Sequence, residues 1–184
     1  MDNSNKIILD LCSGTGAWSK PYSKAGYDVR TITIPENDVR LLKILNEPVY
    51  GILAAPPCTK FSRLQYFHHK GKFQDKDFLD ALSIVDACFR IIMIHKPKFW
   101  ALENPYALIL KWLGKPRFVF NPCDFGDPYT KKTCLWGEFN IPKFKRVEPT
   151  MKQYIKNMPP SIDRPQRRAM TPPGFARAFY EANQ

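Results

Sequence analysis

Over the first sixty positions the apolar residues fall in short runs, each closed by glycine or proline. Residues 7–12 are apolar apart from Asp10 and end at Ser13-Gly14-Thr15-Gly16, which predicts a strand followed by a glycine turn. Residues 17–25 read as a helix that tolerates Pro21 only near its first turn, with Gly26 as its cap. Residues 27–34 alternate and are β-branched, predicting a second strand, and residues 38–46 read as a short helix or a turn into one. A third strand over residues 49–55 runs into Pro56-Pro57 and stops at Cys58.

Residues 59–76 are polar and basic with interspersed aromatics, so they read as a loop. The best helical pattern covers residues 77–95, with Phe78, Leu82, Val85, Phe89 and Ile92 repeating on one face. A strand over residues 99–102 ends at Glu103-Asn104-Pro105, and a helix over 106–113 is stopped by Gly114. Residues 118–120 and 133–136 read as further strands, and Pro172 or Pro173 starts a last helix through residue 181. Strands alternating with helices predict an α/β protein with a mostly parallel, doubly wound sheet. A single domain over residues 1–184 is expected, with the proline- and lysine-rich stretch 140–165 as a loop excursion.

Apolar and charged contents are ordinary, but the net charge of +11 is not, and it points to a polyanionic partner, nucleic acid above all. The competing explanation is a basic surface kept for solubility. The five cysteines are scattered, with neither zinc-ligand spacing nor a disulfide framework, so no metal is expected and a reducing cytoplasm fits best. The polar N-terminus predicts no usual signal peptide, and no segment is long enough to span a membrane.

Three segments carry chemistry. The glycine turn after the first strand lets backbone approach a ligand, or serves as an ordinary structural turn. Cys58 is mounted rigidly at a strand's carboxyl end, which suits a nucleophile, although a buried cysteine beside a turn gives the same pattern. Glu103 stands at the end of another apolar strand, as a catalytic acid or as the cap of the next helix. In a parallel sheet those strand ends share one edge, so Gly14, Cys58 and Glu103 are placed to converge.

Together these segments resemble the DNA cytosine-5 methyltransferases. That family reads Asp-Leu-Phe-x-Gly-x-Gly, then Pro-Pro-Cys-Gln-x-Phe-Ser, then Glu-Asn-Val. This chain has, in the same order, Asp10-Leu11-Cys12-Ser13-Gly14-Thr15-Gly16, Pro56-Pro57-Cys58-Thr59-Lys60-Phe61-Ser62 and Glu103-Asn104-Pro105. Residues 124–137 are similar to a later family motif, and residues 171–179 look like the closing helix. The resemblance covers nearly the whole chain outside 140–165. It implies a Rossmann-like fold that binds S-adenosylmethionine through Asp10, Cys12, Ser13, Gly14, Gly16, Asp38, Val39 and Pro57. It further implies Cys58 as nucleophile and Glu103 as acid, with Ser62, Asn104, Lys131 and Thr133 on the substrate. The implied reaction is methyl transfer to carbon 5 of cytosine, on a base taken out of any duplex. Loop 59–76, with Lys60, Arg63, Lys70, Lys72, Tyr66, Phe67 and Phe73, is expected to close over that base, while His68 and His69 read as solvated loop residues.

Departures from the family are specific. Its adenine-packing aromatic is Cys12 here, the ribose-binding acid falls near Thr33 or Ile34 with Glu36 as a substitute, and the closing helix has Ala169 for asparagine. In the later motif a glutamine becomes Tyr129 and two arginines become Lys131 and Thr133, which removes the planar guanidinium forks. The family's target-recognition domain is reduced to the 140–165 excursion, too short for its own core. Ten Lys or Arg against three acids between Lys131 and Arg168 suit phosphate contacts, so sequence specificity is expected to be low or supplied by a protein partner.

Overall fold

The computed structural model describes residues 2–62, 75–151 and 154–184. Six strands form one sheet: β1 (Ile7–Leu11), β2 (Asp28–Ile32), β3 (Val49–Ala54), β4 (Phe99–Pro105), β5 (Phe118–Phe120) and β6 (Thr133–Glu138). Their order across the sheet is β2-β1-β3-β4-β6-β5. The first four run parallel, and β6 enters antiparallel between β4 and β5.

Period two along β1 divides the core between the two faces of the sheet. Ile7, Leu9 and Leu11 pack with Val85, Cys88, Ile91 and Ile92 of the long helix α2 (Asp75–His95), which has α1 (Lys20–Lys24) before it in the chain. Ile8 and Leu53 face the other way, into an aromatic cluster built from Trp18, Tyr22, Phe99, Phe120, Phe175 and Phe179. The last two belong to the closing helix, residues Pro173–Ala182. Phe120 and Phe175 stack with ring centroids 4.0 Å apart, so the closing helix is tied to the sheet by ring packing. Helices on both faces give the doubly wound arrangement that the alternating pattern predicts.

α2 carries Asp75 and Asp77 in its first turn and His95 in its last, charges placed to suit the helix dipole. Lys96 then takes a left-handed φ of 45° and Pro97 follows, so the helix cannot continue. Three other elements are α3 (Leu110–Leu113), α4 (Tyr154–Asn157) and α5 (Arg164–Ala169); the closing helix is α6. Differences from the pattern are local. α1 starts at Lys20 with Pro21 in its first turn, and α3 is shorter than residues 106–113. β4 extends through Pro105, so Glu103 lies within the strand, opposite Leu135 of β6. The 140–165 stretch holds α4 and the start of α5.

Candidate active site

β1 has β2 on one side and β3 on the other, so the loops leaving β1 and β3 part at a topological switch point, where α/β sheets form ligand crevices. The glycine turn lies there. Gly14 and Gly16 have φ of 54° and 66°, which glycine adopts freely, whereas Cys12 takes a φ of 58° despite its Cβ. The Cys12 backbone N–H donates to the Ile32 carbonyl at 2.7 Å, fixing the turn to β2. Its side chain packs against the α2-side core, to which Cys88 also belongs.

Asp10 is 1% exposed and accepts a 2.5 Å hydrogen bond from the Ser19 hydroxyl. Burial pushes its carboxyl up to about 7, with the Ser19 bond opposing. Its second oxygen and the buried Ser13 hydroxyl have no partner among the described residues, a cost that a polar ligand at the turn would remove. On the β2 side, Asp38 caps the 3₁₀ turn Val39–Leu41 by accepting from the Arg40 N–H at 2.9 Å. Its carboxylate also pairs with the Arg40 guanidinium at 2.6 Å, and Val39 is buried beneath.

Beyond β3 the Ala55 N–H donates to the Leu11 carbonyl at 2.9 Å, holding the two strand exits together. Pro56 is buried and Pro57 exposed, and Cys58 opens the 3₁₀ turn Thr59–Phe61, anchored by fully buried Phe61 and closed by Ser62. Asn104 is fully buried and donates from Nδ2 to the Pro56 carbonyl at 2.9 Å; its Oδ1 has no partner among the described residues.

Cys58 and Glu103 are both half-buried. Burial raises the Cys58 thiol pKa, the Glu103 carboxylate raises it further, and Lys131 and Arg168 pull it down. Burial likewise raises the Glu103 carboxyl, and Lys131 opposes that shift. These four residues therefore form one electrostatic cluster. The Lys131 Nζ donates to the Arg168 carbonyl at 3.1 Å, joining the segment before β6 to α5. Thr133 is 2% exposed and its hydroxyl donates to the Lys131 carbonyl at 2.8 Å, so it is engaged with backbone. Tyr129 packs on Tyr154, ring centroids 4.7 Å apart, and Ala169 ends α5.

The structure thus brings Cys58, Glu103, Asn104 and Lys131 together at one sheet edge, beside the Asp10–Gly16 turn. Arg168 joins them, although the sequence offers only its membership of a basic stretch. Lys60 pairs with Asp77 at 2.7 Å. Arg63, Tyr66, Phe67, His68, His69, Lys70, Lys72 and Phe73 lie outside the described residues. A recess of about 450 Å³ lined by Tyr50, Lys98, Arg117 and Glu138 opens at the opposite edge of the sheet. No cluster of metal-ligating side chains occurs among the described residues, and no helix there is long and apolar enough to cross a membrane.

Sheet order, doubly wound packing and a glycine turn at the switch point define a Rossmann-like α/β fold, one that solved methyltransferases share. Among solved structures the chain is similar to a candidate DNA modification methyltransferase encoded within an E. coli prophage. The TM-score is 0.54 at 18% identity, over 85% of this chain and 56% of that one. It also matches a triple-substituted DNMT2 of Spodoptera frugiperda with TM-score 0.40 and 21% identity, over 80% of this chain and 55% of that one. The chain spans little more than half the length of either neighbour. No protein-family model and no curated protein matches it.

Proposed function

We propose that the protein transfers a methyl group to carbon 5 of cytosine in DNA through a covalent adduct on Cys58. One observation carries this reading: the turn after β3 that bears Cys58 is tied by the Asn104–Pro56 hydrogen bond to β4, which bears Glu103, beside the Asp10–Gly16 turn. A bound S-adenosylmethionine supplies an electrophilic sulfonium methyl group. The unpartnered oxygens of Asp10 and Ser13 and the left-handed turn fit such a polar cofactor. Asp10, Cys12, Ser13, Gly14 and Gly16 would hold it, with Asp38 and Val39 beyond β2 and Pro57 beyond β3.

Cytosine carbon 5 is too electron-poor to attack a methyl group unaided. The Cys58 thiolate adds to carbon 6 while Glu103 delivers a proton to ring nitrogen 3, giving a nucleophilic enamine. Burial raises the Glu103 carboxyl pKa, so it holds that proton more readily than an exposed carboxyl would. After methylation, loss of the carbon 5 proton reforms the double bond and expels Cys58. Asn104 fixes the Pro56-Pro57 turn beneath the thiol, and Lys131 and Ser62 flank the base. Basic residues along 131–168 supply sequence-independent phosphate contacts, leaving the target address to a protein partner.

The test incubates labelled S-adenosylmethionine with DNA, RNA or dCMP and compares the wild type with Cys58→Ala. Transfer to DNA that is lost in Cys58→Ala supports the reading. Transfer to RNA or dCMP alone keeps the chemistry and changes the substrate. The Thr133 hydroxyl bound to backbone favours one rival, a nucleic-acid-binding relative without activity. Binding with no transfer by the wild type, with or without added lysate, would establish that rival.

A further inference from the structure

We propose that Arg168 is a substrate-contacting residue that receives a backbone phosphate next to the base presented to Cys58. This rests on the function proposed above. Arg168 is partly buried in the last turn of α5. Its neighbour Arg167 has Asp163 at 3.9 Å, whereas the Arg168 guanidinium has no hydrogen bond or ion pair among the described residues. A partly buried arginine whose guanidinium has no partner among the described residues is available to an anionic ligand.

Position singles this cation out from the other basic residues. The Arg168 carbonyl holds the Lys131 Nζ at 3.1 Å, and Lys131 in turn faces Glu103. The charge of Arg168 reaches the Cys58 thiol. The Lys131–Arg168 bond thus brings two cationic residues together at one place, which suits an anion. Thr133 is bound to the Lys131 carbonyl and supplies no fork, whereas Arg168 among the described residues offers a planar bidentate donor here.

The experiment measures binding of a single-stranded oligonucleotide with one cytosine, against the same strand carrying neutral methylphosphonates on both sides of that cytosine. Wild type, Arg168→Ala and Arg168→Lys are compared across a salt series. Because the backbone carbonyl of Arg168 holds Lys131, the alanine variant retains that bond. Neutralising the two linkages is expected to weaken the wild type about tenfold or more. Arg168→Ala is expected to bind more weakly, to ignore the methylphosphonates and to lose about one unit of salt slope. Arg168→Lys should keep the slope and recover part of the affinity. A merely structural role would weaken Arg168→Ala yet preserve its methylphosphonate sensitivity, and that result overturns the proposal. Methyl transfer by the wild type, assayed in parallel, separates the two ideas: intact transfer with a sensitive Arg168→Ala sinks only the Arg168 assignment. A wild type that binds no nucleic acid sinks both.

Discussion

The side-chain amide of Asn104 donates to the carbonyl of Pro56 at 2.9 Å, locking the strand that bears Glu103 to the turn that bears Cys58. Replacing Asn104 by alanine strands a buried carbonyl. The expected cost is about 1–3 kcal/mol of stability, with slower methyl transfer at unchanged cofactor affinity. Denaturant unfolding and single-turnover rates check both; a variant as stable and as fast as wild type would show that the bond positions nothing.

Glu103→Gln separates thiol reactivity from catalysis. The glutamate charge raises the Cys58 pKa, so its removal lets the thiolate form at lower pH. Alkylation of Cys58 by iodoacetamide, followed by peptide mapping, should quicken at pH 8. Under the proposed mechanism methyl transfer should fall by roughly 100-fold or more, because the group assigned to protonate the base is gone.

Asp10 should make stability depend on pH. Its folded pKa of about 7 exceeds its ordinary 3.8, so across that interval the folded chain binds a proton that the unfolded chain has released. Stability contributed by this group is therefore full below the lower value and lost as pH rises to the upper one, by roughly 4 kcal/mol. In Asp10→Asn that component of the pH dependence should vanish, as read from Tm measured without cofactor from pH 4 to pH 8.

Gly137→Ala tests the β4–β6 pairing. At φ 145° an added Cβ would run into the Trp100 carbonyl oxygen on β4. Strain and overpacking predict a loss of about 2–5 kcal/mol. Chemical denaturation would expose the error if the variant matched wild type.

Legibility in the sequence followed local physics. The β1 and β3 exits were readable because apolar runs met glycine or proline directly, and Pro21 stands in the first turn of α1 where its missing N–H does no harm. Residues 106–109 were read as helix, but the Tyr106 N–H goes to the Lys132 carbonyl and that of Leu108 to the Phe61 carbonyl. Those long-range bonds override the local preference, as the pairing with β6 overrides the expected end of β4. Cys58, Glu103 and Lys131 could be named from motif order and converge in space. Arg168 could not, since only the Lys131 bond distinguishes it from other arginines of a basic stretch.

The insertion of β6 between β4 and β5 sets a schedule for synthesis on the ribosome. Once residues up to 105 have emerged, β4 presents a bare edge, and it stays bare until residues 133–138 leave the exit tunnel. Nascent chains released in that window carry Cys58 and Glu103 on an open sheet, without Lys131 or the closing helix. Such fragments should be the aggregation-prone products of interrupted translation, while release beyond α6 should yield soluble protein.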